Sequence, residues 1–211
     1  TLFLQFYGNI NRKMIKKHRI FTAINLPYEV KKELSGYENK FPDLPAKWTP
    51  ADNLHITLIF LGDLTDTELG EVCLVVKEMA RRHREFAINL QKVMYGPAGK
   101  PLPRMVWAEG AKSKELSSLK NDLQNSLSEK VNFALEKKSF APHITLARIK
   151  EWEFRAIEPE ERPEINEPID LNFSVESIEV MSSKARSRFE GESALKKGGP
   201  EYTIIESFPL E

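Results

Sequence analysis

Cysteine is almost missing from this sequence, since Cys73 is the only one in 211 residues. An internal disulfide is therefore impossible, and such cysteine usage is typical of proteins in the reduced cytoplasm. The chain also lacks a run of about 20 apolar residues, the length that a helix needs to cross a bilayer. We expect a cytoplasmic protein that has its own apolar core and no membrane contact.

The sequence has no excess of charge of either sign, because 31 Lys and Arg residues balance 31 Asp and Glu residues. A protein that coats long nucleic acid needs a broadly basic surface, which this composition excludes. If nucleic acid is the partner, we expect the contact to be local. No long exposed apolar repeat calls for a protein partner, so we expect a monomer.

The first residues carry little information about the fold. Met14 and the basic residues after it are typical of a natural translation start. Residues 1–18 are therefore interpreted as an extension or a vector-derived segment, and residues 19–211 as a single domain.

Strand and helix patterns alternate through the rest of the chain. Apolar residues at helical spacing predict helices over 30–41, 65–83 and 114–131, and the acidic, proline-containing stretch 152–168 is predicted to be an exposed connection. The order predicts an α+β fold with signs of an internal duplication. The predicted strands, from β-branched and aromatic runs, cover 19–26, 53–62, 86–95, 104–108, 140–149, 171–181 and 202–208.

The duplication is clearest in the string His-Ile-Thr-Leu, which occurs once from His55 and once from His143. Side chains alternate along a strand, so each histidine shares one face with its threonine, Thr57 or Thr145, while the intervening apolar residues face the core. Two such strands, side by side or across a cleft, would bring two imidazoles and two hydroxyls around a volume the size of a phosphate.

A pair of imidazoles suits the opening of a cyclic phosphodiester. The unperturbed histidine pKa of about 6.5 lets one ring accept a proton near neutral pH while the other donates one. One histidine would activate water for in-line attack, and the other would protonate the departing ribose oxygen. Thr57 and Thr145 would donate hydrogen bonds to non-bridging oxygens. This chemistry needs no metal and no cofactor, and zinc prefers more ligands than two His-Thr pairs supply.

Simpler interpretations exist for the individual residues. A single His-x-Thr is more often a half-buried strand histidine bonded to its threonine, and it is the second copy that favours a site. Cys73 is interpreted as a buried inert thiol, and His83 as part of a charged helix end. Phe21 is expected in the core, although Phe21 or Trp48 could stack on a base.

The chain resembles the two-histidine (2H) phosphoesterases, and most closely the RNA 2′,3′-cyclic phosphodiesterases, long named 2′-5′ RNA ligases. The resemblance runs from Arg19 to the C-terminus and is carried by residues 19–27, 48–62, 142–148 and 199–202. It implies a bilobal fold of two pseudo-symmetric antiparallel sheet lobes with outer helices, whose central groove carries the two His-x-Thr strands.

The resemblance also implies an activity, the hydrolysis of RNA 2′,3′-cyclic phosphate ends to 2′-phosphate ends. In that reaction His55 would be the proton donor and His143 the proton acceptor. The residues alone leave open which histidine takes which role.

Two basic features accompany the resemblance. Arg148 matches an arginine that is expected to grip the phosphate, but strict alternation would turn it away from His143 unless the strand bulges or ends there. The segment 182–199 is longer and more basic than the family's tight turn. Its Lys184, Arg186 and Arg188 would either contact RNA phosphates or belong to a solvated loop.

Other functions remain open at this point. The same histidine pair could serve a phosphodiesterase for small cyclic nucleotides or 2′-5′ oligonucleotides, so the expected partners are RNA ends or nucleotide cyclic phosphates. A nucleotide-binding module without turnover is the third alternative.

Overall fold

A computed structural model describes residues 16–97, 99–100, 102–135, 140–184 and 200–211 of the protein. Within these ranges the chain forms nine strands and five α-helices. The strands are β1 (Lys17–Asn25), β2 (Ala46–Trp48), β3 (His55–Thr65), β4 (Phe86–Gly96), β5 (Met105–Gly110), β6 (His143–Ile149), β7 (Asn166–Val175), β8 (Ser177–Lys184) and β9 (Glu201–Pro209). The helices are α1 (Tyr28–Ser35), α2 (Tyr37–Lys40), α3 (Asp66–Ala80), α4 (Lys114–Ser128) and α5 (Glu151–Arg155).

The strands form one antiparallel sheet in the order β7-β4-β5-β6-β3-β1-β8-β9, and β2 pairs with the free part of β6. The sheet has two corresponding halves, because β3-β1-β8-β9 in one has the same layout as β6-β5-β4-β7 in the other. The halves join where Ile56 of β3 pairs with Ile144 of β6. The α+β fold with two pseudo-symmetric sheet lobes is therefore confirmed.

The two long helices are fixed at their N-termini by side-chain caps. Thr65 and Glu68 form a capping box at α3, in which the Thr65 hydroxyl accepts from the Glu68 N–H and the Glu68 carboxylate accepts from the Thr65 N–H. The Ser113 hydroxyl accepts from the N–H of Leu116 at the start of α4. Both helices pack an apolar stripe against the main hydrophobic core, where each fully buried valine, leucine or methionine contributes roughly 1.5–3 kcal/mol.

The segment 171–181, predicted as one strand, is two strands. β7 ends at Val175 and pairs with β4, whereas β8 begins at Ser177 and pairs with β1. The chain thus crosses from one half of the sheet to the other at Glu176, and an apolar pattern that continues through the crossing conceals the change of partner.

The predicted exposed connection 152–168 is also wrong in part. Phe154 of α5 and Ile165 are only 2% and 3% exposed, so two apolar residues anchor this acidic stretch to the core. The helix predicted over 30–41 is interrupted at Gly36, a poor helix former, between α1 and α2.

The first strand begins two residues before the predicted one. β1 begins at Lys17, and His18 Nε2 lies 3.0 Å from the Asp66 carboxylate at the start of α3. Residues 1–15 lie outside the described residues, and the division into 1–18 and 19–211 stays a prediction. In the described ranges no helix combines the length and apolar character that crossing a membrane requires.

Candidate active site

The two predicted histidines are the first residues of neighbouring strands. His55 begins β3 and His143 begins β6, and these are the strands that join the halves of the sheet. Their apolar neighbours Ile56 and Ile144 form the pair that joins them and are both completely buried. The histidines therefore lie on the opposite face of the sheet from the main core.

The same register brings the threonines to the histidines. Continuing the antiparallel pairing by one residue in each direction puts His55 opposite Thr145, and Thr57 opposite His143. Directly opposed residues point to the same face, with their Cβ atoms about 5 Å apart. All four side chains are half-buried, so solvent can reach the face of the sheet that they share.

Both imidazoles are oriented by the same backbone contact. His55 Nδ1 lies 2.7 Å from the carbonyl oxygen of Asn53, and His143 Nδ1 lies 2.8 Å from that of Ala141. A carbonyl oxygen can only accept, so Nδ1 carries a hydrogen in both rings. Nε2 is consequently the nitrogen from which a proton can leave or to which one can be added.

The surroundings of His55 disfavour its charged form. Burial lowers the pKa of His55, the hydrogen bond to Asn53 opposes this, and the charges of Lys31 and His143 lower the pKa further. The ring is flanked by Phe21 and Tyr202, each with its centroid 5.1 Å away. A neutral His55 can accept a hydrogen bond at Nε2 from the Thr57 hydroxyl, which lies 3.0 Å away.

Lys31 is the cation that acts on His55 from α1. Its Nζ donates to the carbonyl oxygen of Asp52 at 3.4 Å, just before the residue that holds His55 Nδ1. Partial burial lowers the pKa of Lys31, and the charge of Asp52 raises it.

His143 has a different neighbour, the indole of Trp107 on β5. The two rings are stacked, with centroids 3.9 Å apart and planes inclined by 26°. Sequence reasoning missed this contact, because the pattern around Trp107 predicts only a short strand and does not indicate which residues lie beside it.

Arg148 lies on the same face as His143 because β6 contains a bulge. Val106 pairs with Ala147 but Trp107 pairs with Thr145, so Leu146 is an extra residue in β6. Leu146 and Ala147 are both buried, and Arg148 is exposed. The bulge thus reverses the alternation and supplies the condition on which the predicted position of Arg148 depended.

The equivalent bulge occurs in β3, where it exposes an aromatic residue. Ile59 pairs with Thr22 but Thr57 pairs with Ala23, which leaves Leu58 as the extra residue. Phe60 follows the bulge as Arg148 does in β6, and it is 68% exposed. Sequence reasoning missed Phe60 as a candidate for the site, although aligning the two His-x-Thr boxes would have matched it with Arg148.

The other basic and aromatic candidates differ in exposure, and two of them fall outside the described residues. Lys184 ends β8, whereas Arg186 and Arg188 fall in the undescribed range 185–199. Phe21 is buried as predicted. Trp48 is half-buried and packs against the main core.

The remaining predictions concern a thiol, a histidine and a metal. Cys73 is half-buried rather than buried, and desolvation and the nearby Glu206 raise the pKa of its thiol to about 11. His83 lies beyond the end of α3, with Nε2 3.0 Å from the Asp122 carboxylate. In the part of the chain that the structure describes, no three His, Cys, Asp or Glu side chains form a group that could hold a metal.

Comparison with known proteins identifies a family and several relatives of this chain. A family model described as the 2′-5′ RNA ligase superfamily matches residues 27–186. The RNA 2′,3′-cyclic phosphodiesterase of Thermotoga maritima is 32% identical over 192 residues, which cover 89% of this chain and 92% of the relative. That of Aquifex aeolicus is 30% identical over 167 residues, covering 78% and 81%.

Solved structures share the fold. The Thermus thermophilus protein TT0787 superposes with a TM-score of 0.74 at 29% identity, over 91% of this chain and 97% of its own. Escherichia coli LigT, solved with 3′-AMP, gives a TM-score of 0.69 at 24% identity, over 92% and 98%. Together with the names of these relatives, the comparison identifies the protein as a phosphodiesterase. Within that class, the chain belongs to the 2′-5′ RNA ligase superfamily.

Proposed function

We propose that the protein hydrolyses RNA 2′,3′-cyclic phosphate ends to 2′-phosphate ends, with His55 and His143 as the catalytic acid and base and without a metal. The observation that carries the proposal is the pairing of Ile56 with Ile144, which supports a site formed by the histidines and threonines on either side of that pair. The names of the Thermotoga and Aquifex relatives supply the substrate class.

The reaction needs one imidazole on each side of the phosphorus atom. Nε2 of His143 takes a proton from water as the water oxygen attacks phosphorus, the bond from phosphorus to O3′ breaks, and Nε2 of His55 donates its proton to O3′. The product is a 2′-phosphate, and a proton passes through solvent from His143 to His55 before the next turnover. The family resemblance supports this assignment of roles. Burial and the charge of Lys31 oppose it, because they lower the pKa of His55, so only the protonated fraction of His55 can serve as the acid.

The charge that develops on the phosphoryl oxygens would be stabilised by donors on the same face. The hydroxyls of Thr57 and Thr145 can each donate one hydrogen bond, and that of Thr57 becomes available when His55 is protonated and no longer accepts it at Nε2. The Arg148 guanidinium can form two parallel hydrogen bonds with a phosphate, which a lysine cannot. Such preorganised donors act where the charge grows in the transition state.

The terminal nucleobase would stack on Phe60. This ring is 68% exposed and lies three residues after Thr57, on the far side of the bulge. An exposed aromatic side chain beside a phosphate-binding point is the usual platform for an unpaired base, and such stacking stabilises binding by about 1–3 kcal/mol per base.

A second cation beside Arg148 favours RNA over a small cyclic nucleotide. Lys47 of β2 is directly opposite Arg148, and both are exposed. Neither forms an ion pair with another side chain of the described ranges. Like charges directly opposite each other in a sheet are destabilising. A second phosphate between them would relieve that repulsion, and an RNA strand carries one whereas a cyclic mononucleotide does not.

The test is hydrolysis of an oligoribonucleotide that ends in a 2′,3′-cyclic phosphate, with and without a chelator. We expect His55→Ala and His143→Ala each to lower kcat by several orders of magnitude while the circular dichroism spectrum is retained. The matched control is His83→Ala, because His83 is a histidine that pairs with Asp122. This variant should retain full activity. Full activity in either active-site variant, or loss of wild-type activity on chelation, would contradict the proposed mechanism.

A further inference from the structure

Trp107 is enclosed on more than one side. Besides the imidazole of His143, the backbone of Gly96 on β4 approaches the indole so closely that a Cβ built on Gly96 would lie 2.2 Å from Cδ2, 2.5 Å from Cε3 and 2.6 Å from Cε2. These are distances that real Cβ atoms do not adopt, so only glycine fits opposite this ring.

The distances also show how Gly96 meets the indole. Cδ2 is the nearest atom, and the two six-membered-ring atoms bonded to it are about equally far, which is the pattern of an atom directly above Cδ2. Gly96 therefore lies against a face of the indole. His143 is stacked on a face as well, and both lie over the middle of the ring system, so they occupy opposite faces.

The indole is held by its faces and not by its polar atom. Trp107 Nε1 is buried and has no hydrogen-bond partner among the described residues. A buried tryptophan N–H usually finds a partner, and leaving it without one is costly. The position of Trp107 is therefore set by packing between Gly96 and His143, and its N–H is left without a hydrogen bond.

We propose that Trp107 is a positioning residue, which acts with Gly96 behind it as a rigid support that fixes the ring plane of His143 for its part in catalysis. The bond from Nδ1 to the Ala141 carbonyl fixes one atom of the imidazole but leaves the ring free to rock about that bond. The stacked indole removes this freedom, so Nε2 stays aligned with the attacking water. The inference rests on the proposed function of His143.

The other half of the sheet supports this interpretation by contrast. Ala23 occupies the position in β1 that Trp107 occupies in β5, because Ala23 pairs with Thr57 as Trp107 pairs with Thr145. His55 instead contacts Tyr202 edge-on, at an interplanar angle of 86°, and Phe21 in a tilted arrangement at 35°, with the Phe21 centroid 5.1 Å away and not stacked. A face-to-face support thus belongs to one histidine of the pair.

The first measurement uses the wild-type protein. Ring protons that lie over an indole are shifted upfield in the proton NMR spectrum, so we expect the carbon-bound imidazole protons of His143 to resonate well upfield of those of His83. Resonances of His143 at ordinary positions would overturn the proposal, whatever the stability of any variant.

Kinetics then separates positioning from stability. Trp107→Leu should lower kcat for cyclic-ended RNA by about tenfold to a hundredfold, since small misplacements of a catalytic group have effects of that size, with KM changed by less than about threefold. Trp107→Phe, which can still stack, should recover most of kcat, and the upfield shift should vanish in Trp107→Leu and persist in Trp107→Phe. A folded Trp107→Leu protein with wild-type kcat would overturn the proposal.

Gly96→Ala tests the support without altering the indole. We expect it to lower kcat and to displace the His143 resonances, because the added methyl group must push the ring toward the imidazole. Gly70→Ala is the matched control, because a Cβ at Gly70 of α3 would meet nothing within 4 Å. If His143→Ala abolishes turnover while Trp107→Leu and Gly96→Ala leave it intact, the proposed function stands and the inference about Trp107 fails.

Discussion

The two halves of the sheet carry the same His-x-Thr box on corresponding strands, followed by the same bulge, yet they surround the two histidines differently. His55 is flanked by Phe21 and Tyr202 and feels the charge of Lys31, whereas His143 is stacked on Trp107. A general acid and a general base need different protonation states. Two histidines on equivalent strands can meet this need when their neighbours differ. The backbones of the two His-x-Thr strands are equivalent, and we expect the two histidines to have different roles.

The sharpest difference between the halves is the residue after the bulge, Arg148 in one and Phe60 in the other. We expect Arg148→Ala to lower kcat/KM by about a hundredfold to a thousandfold, because it removes the side chain proposed as the charged donor to the phosphoryl oxygens. Arg148→Lys should recover part of the loss, since it restores the charge without the two-pronged geometry. The measurement is steady-state hydrolysis of cyclic-ended RNA.

Arg82→Ala serves as its control, because Arg82 is exposed and pairs with Glu78 within its own part of the chain. A smaller effect for Arg148→Ala than for Phe60→Ala would reverse the proposed division of labour between the halves.

Removal of the aromatic ring should have the next largest effect. Phe60→Ala is expected to lower kcat/KM by about tenfold, within the range of base stacking, and Phe60→Tyr should be close to wild type. Stacking grows with the size of the base, so the loss should be greater for RNA ending in adenosine than for RNA ending in uridine. Leu74→Ala, which removes another exposed apolar side chain from α3, should have no effect. An equal loss of kcat/KM for the adenosine-ended and the uridine-ended RNA would argue against stacking of the terminal base on Phe60.

Lys47 tests whether the Arg148 side of the groove extends beyond the reacting phosphate. We expect Lys47→Ala to raise KM for a cyclic-ended oligonucleotide several-fold, to weaken the salt dependence of KM by about one phosphate contact, and to leave turnover of a cyclic mononucleotide unchanged. Lys77→Ala on α3 is the control. If Lys47→Ala impaired both substrates equally, the second phosphate would not lie there.

Features of the fold and of the candidate site that depend on local sequence could be predicted, and features that depend on the pairing of distant strands could not. The α+β fold and the positions of His55 and His143 could be predicted because strand alternation and an exact repeat are local properties. The bulges could not, because a bulge is a shift of pairing register between strands far apart in sequence, and strict alternation put Arg148 on the wrong face. The stacking of Trp107 on His143 depends on which strands become neighbours, and that is also non-local.

The smallest expected effect concerns Lys31, which distinguishes the electrostatics of the two halves. If His55 must be protonated and His143 neutral, the plot of rate against pH is bell-shaped. Its two limbs give the apparent pKa values of the histidine pair. Burial and the charge of Lys31 lower the pKa of His55, so we expect one limb below pH 6.5, the unperturbed histidine value. Lys31→Met removes a positive charge that disfavours protonated His55, which raises the pKa of His55.

That limb should therefore move to higher pH in Lys31→Met, by a few tenths of a unit as is typical of a partly screened charge, while the other limb stays in place. Lys32→Met changes the next, exposed lysine of α1 and should shift neither limb. A shift toward lower pH would contradict the sign of the interaction. Movement of both limbs together would mean that Lys31 acts on the pair as a whole, and the electrostatic contrast between the halves would then be lost.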